Sequence, residues 1–409
     1  MNKYDYIIIG SGASGAAVAE KISSDYEVLI LEKGENLPLN EAHKGYVRAS
    51  SCKDFEEHGK IDILSGMGVG GTTLLAIANG VRTQEKELRN LGIDIEKELD
   101  EVERDFGVLP IPKNMLGERT NLFIEKSKEL GYEPKIMPKM IDFNKCKKCG
   151  KCNMGCQFQA KKTSLYYIEK AISKGAKLKP NFEVLKINKK DEYFTVQGIE
   201  KGNLINFSAK NVILSAGALD TPKVLNNSGI ITPKKLFVDI FVTIGGRCNH
   251  SFKDEINMAA YIPFNDFLIS PYYSERIIKM LGERKIESKR ENIIGIMIKI
   301  KDDSCGYVGK DFTEKYCTGK DVQKISNGVS IASRILKESG VDTIVSTEAI
   351  GAHPGGTAPL GITVDNQFKT KMGFYVCDAS ILPESPGAPP ILTLMALGKR
   401  LGENILDSS

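Results

Sequence analysis

Met1–Glu32 reads MNKYDYIIIGSGASGAAVAEKISSDYEVLILE. Tyr4–Ile9 is a short β-rich apolar run. It meets Gly10-Ser-Gly12-Ala-Ser-Gly15 and then AAVAEKIS, which has helical composition. Val28–Leu31 is a second apolar run, ending on Glu32. Strand, glycine turn, helix, strand and acid is the order of a βαβ dinucleotide site. Gly10 allows the tight turn, Gly12 lets a pyrophosphate reach the backbone, and Gly15 lets the helix lie close on the strand. The N-terminus of that helix offers free N–H groups to phosphate, and Glu32 is placed to accept from a ribose diol. The motif does not distinguish FAD from NAD. The rest of the chain must do so.

At 409 residues the chain is too long for one small domain, so two domains, or one with an insertion, are expected. The charges nearly cancel, 56 basic against 52 acidic, and no basic cluster interleaves with aromatics, so no nucleic-acid partner is expected. No run of 18 apolar residues suggests a transmembrane helix. The N-terminus enters the fingerprint directly, so a cleaved leader is not expected. Nine cysteines without a secretory signal point to thiols or metal ligands in a reducing compartment, hence the cytoplasm.

The expected fold class is α/β: a Rossmann-like domain built from discontinuous segments, plus a smaller antiparallel-sheet substrate domain. Residues 1–82 form the first nucleotide-binding segment. Within it, Gly66, Gly68, Gly70 and Gly71 mark a loop where backbone approaches something closely, and Thr72 and Thr73 follow as a cap or phosphate ligand. Residues 83–140 read as a helical connection or lid, and residues 141–164 carry a cysteine cluster. Residues 165–230 return to the nucleotide domain through a helix, strands and NVILS (Asn211–Ser215), then Ala216-Gly217 and a helix with Pro222 in its first turn. In 231–349 the runs LFVDIFVTI, INMAAYIPF and NIIGIMIKI suggest an antiparallel sheet, with a helix over 321–339. TIVSTEAIG (343–351) is expected to lead back to the first domain, completed by 350–409.

Cys146, Cys149, Cys152 and Cys156 form C-x2-C-x2-C-x3-C, the spacing of a bacterial ferredoxin run. One [4Fe–4S] cluster on these four is one reading, with Cys52 or Cys248 as substitutes for the fourth. Structural zinc and free thiols are the others. A cluster beside a flavin would pass single electrons to a carrier such as ferredoxin, making the enzyme a dehydrogenase or reductase and not an oxidase. Lys145, Lys147, Lys148 and Lys151 would steer an acidic partner.

Taken together, the separated motifs resemble the glucose–methanol–choline (GMC) family of flavoprotein oxidoreductases. They are the opening fingerprint, GVGGTT (68–73), NVILSAGALDTPKVLNNSGI (211–230), AHPGGTAPLG (352–361), VCDASILP (376–383) and PPILTLMAL (389–397). The resemblance spans nearly the whole chain, although the chain is short for that family. It implies FAD, held by Gly10, Gly12, Ser14, Gly15, Glu32 and Lys33, by Gly70, Gly71 and Thr72, by Val184, by Ala216 and Gly217, by Asp378 and Ala379, and by Pro390 and Ile391. It implies hydride transfer from an alcohol carbon to the flavin, with His353 of HPGGT as general base. His250 reads as structural, and His43 and His58 as exposed. One departure stands out: Pro389 occupies the place of a second His or Asn and has no side-chain donor. Either another residue assists His353, or the chemistry is reduction or desaturation of an enone or lipid-like carbonyl compound with ferredoxin. A non-catalytic electron-transfer subunit is a further alternative.

Overall fold

A computed structural model describes residues 3–50 and 61–408. Cys52 and His58, both singled out in the sequence, lie outside the described residues. Two sheets organise the chain. The first is seven-stranded, in spatial order Lys177–Lys179, Val28–Leu31, Lys3–Ile9, Asn203–Leu214, Tyr193–Glu200 and Glu183–Lys190, with Tyr375–Val376 also pairing with Asn203–Leu214. Its central pairings are parallel. Both faces of a parallel sheet are covered, which is why Ile7, Ile8, Ile30 and Ile213 are all fully buried in unbroken apolar runs.

The first helix, Ala13–Ile22, and the last, Ile391–Asp407, pack on each other. Their approach is set by a small residue. A Cβ on Gly398 would stand 2.5 Å from the Ser14 carbonyl oxygen. The Ser14 hydroxyl donates to Leu394 O at 2.8 Å across the same contact. The two ends of the chain are thereby clamped together.

The second sheet is nine-stranded. It runs Tyr46–Ser50, Asp62–Gly66, Ile350–Gly351, Ile240–Arg247, Ile293–Ile300, Phe267–Pro271, Ala260–Pro263 and Lys135–Ile136, with Val345–Ser346 also on Ile240–Arg247. The central antiparallel strands match the expected apolar runs. A long helix, Gly319–Glu338, lies against them and starts with a capping box in which Thr318 and Asp321 bond each other's backbone N–H.

Two expectations are corrected. Residues 343–351 do not lead back to the first sheet: Val345 and Ile350 are buried in the second, and the return comes only at Tyr375–Val376. The second sheet also recruits Tyr46–Ser50, Asp62–Gly66 and Lys135–Ile136 from outside 231–349. These short strands lack a long apolar alternation; Asp62–Gly66 and Lys135–Ile136 become strands by pairing with distant partners, and Tyr46–Ser50 by pairing with Asp62–Gly66.

Gly398→Leu should destabilise the fold by about 1–3 kcal/mol, because the helix contact has no room for a side chain. Gly319→Ala, where a Cβ meets nothing within 4 Å, should leave the melting temperature unchanged or higher. Thermal melts of the two variants check this; equal melting temperatures would be inconsistent with it.

Candidate active site

Four parallel strands release their carboxyl ends side by side: Ile9 into Gly10, Leu31 into Glu32, Leu214 into Ser215 and Val376 into Cys377. Ligands of open α/β sheets bind at this edge. Gly10 takes φ +99°, and a Cβ there would lie 2.2 Å from Ser215 O, so only glycine allows the neighbouring turn so close. Gly12 differs: a Cβ would meet nothing within 4 Å. That open space lies at the start of the first helix, whose first internal bond runs from Ala16 N to Gly12 O, and Gly12 has no side-chain cap. The geometry fits a pyrophosphate.

Glu32 is buried. Its Oε2 accepts from Ser11 N at 3.0 Å and Ser11 Oγ at 2.6 Å, and Oε1 accepts from Gly34 N at 2.9 Å. Burial raises its pKa, while these donors oppose the rise. Ser11 Oγ also accepts from Gly70 N at 3.0 Å. A Cβ on Gly71 would stand 3.0 Å from Gly12 Cα. The first and second glycine loops therefore touch. Thr73 donates to Gly70 O at 2.7 Å, as does Ser164, while the Thr72 hydroxyl accepts from Gly66 N at 3.1 Å. Lys33 is exposed and pairs with Glu183 at 2.8 Å, beside Val184 on the edge strand.

The later segments arrive at the same edge. Asp378 Oδ2 accepts from Gly217 N at 2.8 Å and Thr221 Oγ1 at 2.6 Å, and Oδ1 from Ser380 N at 2.7 Å. Its carboxylate ties the Ala216–Gly217 turn to Ala379. Burial raises the Asp378 pKa. The loop carrying His353 is bonded to both segments. Gly356 N donates to Ala379 O, Ala358 N to Ser380 O, and Thr357 Oγ1 to Ala218 O at 2.9 Å. Pro390 precedes the last helix as its cap, with no side-chain cap bond, and Ile391 opens its first turn.

His353 sits between the two sheets, its side chain 19% exposed. Its Nδ1 lies 2.8 Å from Oδ2 of Asp239, which is fully buried. Asp239 Oδ1 in turn accepts from Ser385 Oγ at 2.6 Å and Gly387 N at 3.0 Å. Burial lowers the His353 pKa, as does the nearby Lys299 ammonium, while Asp239 pulls it up. Asp302 accepts from Asp239 N at 2.7 Å and pairs with buried Lys315 at 2.8 Å. Asp239 was missed in the sequence. Its signal is a lone carboxylate inside LFVDIFVTI, an otherwise apolar run. Its second carboxylate oxygen is held by Ser385 and Gly387, in the segment entering Pro389.

A cavity of about 270 Å³ opens beside this segment, lined among others by Val81, Gln84, Tyr261, Leu268, Gly387 and Ala388. Gln84 Oε1 is buried there without a hydrogen-bond partner among the described residues. His250, read as structural, is exposed and stacks on Phe252, and His43 is exposed as expected.

Cys146, Cys149, Cys152 and Cys156 line one small cavity together with Lys161. Burial raises the pKa of the Cys146 and Cys152 thiols. Among the described residues, no group of three or more His, Cys, Asp or Glu is arranged to hold a metal ion. Cys248 packs in a separate core with Ile244 and Phe252. Lys145, Lys147 and Lys151 are exposed around the cysteine loop.

Comparisons with known proteins bear on the family and the fold. The family model for the N-terminal part of GMC oxidoreductases covers residues 4–247, and that for the C-terminal part covers 316–398. An uncharacterised protein of Methanocaldococcus jannaschii is 33% identical over 98% of this chain and 100% of its own length. A long-chain-alcohol oxidase of Arabidopsis thaliana is 20% identical over 99% of this chain and 67% of its own. The crystal structure of pyridoxine 4-oxidase from Mesorbium loti superposes with a TM-score of 0.79 at 13% identity, covering 98% of this chain and 99% of that one, a likeness of fold. With one family model over more than half of its residues and the second over its C-terminal part, the chain belongs to the GMC oxidoreductase family.

Proposed function

We propose that the protein is an FAD-dependent dehydrogenase of CH–OH donors in which His353 is the general base. The observation that carries this reading is the His353–Asp239 pair. FAD, when bound, supplies the hydride acceptor. The chain's own residues do the rest. Asp239 accepts from Nδ1–H and so fixes the tautomer, leaving the Nε2 lone pair for the substrate hydroxyl proton. The lowered pKa keeps the ring neutral, and able to accept, at neutral pH. Gly12, the first-turn N–H groups and Glu32 would hold the dinucleotide, and the open end of the last helix would face developing negative charge. The cavity beside Ala388 has room for a small alcohol or carbonyl compound. The names of the plant alcohol oxidase and of pyridoxine 4-oxidase are consistent with an alcohol donor.

The enone or lipid-like reading rested on Pro389. Asp239 gives His353 an assisting group despite Pro389, which supports the alcohol reading. The cysteine run would hold one [4Fe–4S] cluster, and a cluster supplies single-electron transfer to an acceptor. What supports it is the convergence of four ferredoxin-spaced cysteines on one cavity, ringed by exposed lysines for an acidic ferredoxin-like carrier. Zinc at the same residues is the rival. A reducing cytoplasm suits either. Among the described residues, no helix is long and apolar enough to cross a membrane.

His353→Ala should cut the rate of flavin reduction by about a hundredfold or more, read by flavin bleaching in an anaerobic alcohol screen. An unchanged rate would remove His353 as the base. The acid limb of kcat/KM should fall below the ordinary histidine value of about 6.5, with activity lost as pH drops through it. Asp239 favours the protonated ring, so Asp239→Asn should move that limb lower still while reducing kcat. A limb that moved upward would contradict the pairing. Glu32→Ala should weaken FAD retention by about tenfold or more, since charged acceptors at such sites are worth about 1.5–3 kcal/mol; flavin absorbance per purified chain measures it. Anaerobically purified protein should carry about four iron and about four sulfide per chain. Zinc alone, or no metal, would remove the relay.

A further inference from the structure

Two lysines beside the cysteine cavity are buried without an anion. Lys139 is 0% exposed and Lys161 4%. Lys161 Nζ donates to the carbonyls of Leu74, Ala76 at 2.9 Å and Cys152 at 2.8 Å. Lys139 Nζ donates to Asn79 Oδ1 and to the carbonyls of Ile77 at 3.1 Å and Asn257 at 2.8 Å. Every acceptor is neutral. Neither lysine makes an ion pair among the described residues. Of the other buried ammonium groups, Lys315 pairs with Asp302 and Lys399 with Glu20 and Glu101, while Lys299 makes no ion pair among the described residues and donates to the Asp239 carbonyl at 3.3 Å, with the Asp239 and Asp302 carboxylates acting on it. An ammonium withdrawn from water is costly unless a negative charge meets it. The thiols of Cys146, Cys152 and Cys156 are the ionisable groups acting on these two.

We infer that Lys139 and Lys161 are the built-in counter-ions of an anionic iron–sulfur centre on the cysteine run; this rests on the iron–sulfur reading above. Four thiolates around a doubly charged iron–sulfur core leave a doubly negative centre, and two ammonium groups balance it. Gaining one electron makes the centre more negative, so the two cations favour the reduced form and raise its potential, net charge being one of the levers on such centres. The lysines also tie the centre to the second glycine loop. Their acceptors at Leu74, Ala76 and Ile77 lie just beyond Gly70–Thr73, and the Lys139 acceptor Asn257 donates through Nδ2 to Gly150 O, inside the cysteine run, at 3.3 Å. One pair of side chains thus sets both the charge of the centre and its anchorage beside the dinucleotide loops.

The test uses the anaerobically purified full chain with Lys139→Gln and Lys161→Gln, which keep a donor and drop the charge. Iron and sulfide are measured first, then the midpoint potential by dithionite titration followed by electron paramagnetic resonance. Each variant should lower the reduced-to-oxidised ratio at fixed potential about tenfold, which is about 59 mV for one electron. Lys161→Arg should stay near the parent value. Full iron and sulfide with an unmoved midpoint would overturn the counter-ion role and leave the cluster standing. A parent protein without iron and sulfide would instead remove the cluster reading, and this role with it. If Lys161→Gln loses the cluster, retention by Lys161→Arg supports the charge requirement, and loss in both overturns it.

Discussion

The contact between Gly12 and Gly71 is the constraint on which the rest depends. Two loops from separate parts of the chain meet there with no side chain between them. Ser11 bonds both Glu32 and Gly70, so the acid after the second strand, the first loop and the second loop form one hydrogen-bonded unit. A bulky residue at this meeting point would separate the loops and fill the dinucleotide cradle. The clamp between the first and last helices holds that unit from behind, with Gly398 against the Ser14 backbone. Binding surface is therefore created by backbone approach, and the buried carboxylates of Glu32 and Asp378 serve first as connectors.

Buried charge is the second theme. Asp239, Asp302, Lys299 and Lys315 form a network behind His353, in which each carboxylate meets backbone N–H groups, a hydroxyl or an ammonium. Such an arrangement holds the imidazole in one orientation, because every neighbour has its own partner. Lys139 and Lys161 lack that completion. Perturbed ionisable groups in clefts are candidates for functional sites, and what sets Lys139 and Lys161 apart from the other buried lysines is that no carboxylate among the described residues acts on them. The paired ones stiffen the scaffold. Lys161 lines the cysteine cavity, and Lys139 is linked to the cysteine run through Asn257.

Much of the first domain was legible in the sequence because its signals are local. A strand, a glycine turn and a helix within 32 residues announce themselves by period and composition. The same holds for NVILS before Ala216-Gly217 and for the cysteine spacing. The short strands Tyr46–Ser50, Asp62–Gly66 and Ile350–Gly351 were not legible, since, among the described residues, the first pairs only with the second and these two join the sheet only where Asp62–Gly66 meets the distant Ile350–Gly351. Asp239 illustrates the same limit in the site. Its type and place in an apolar run were visible, but not that its carboxylate would meet a ring 114 residues later.

By itself, the sequence determined the βαβ dinucleotide fingerprint, the family resemblance, the candidate base at His353 and the ferredoxin-like spacing, because these are properties of neighbouring residues. Only the tertiary structure decided which carboxylate faces His353, which lysines end up without an anion, and which strands close the second sheet. Those outcomes depend on desolvation and on pairing between distant segments, and neither has a local period to read.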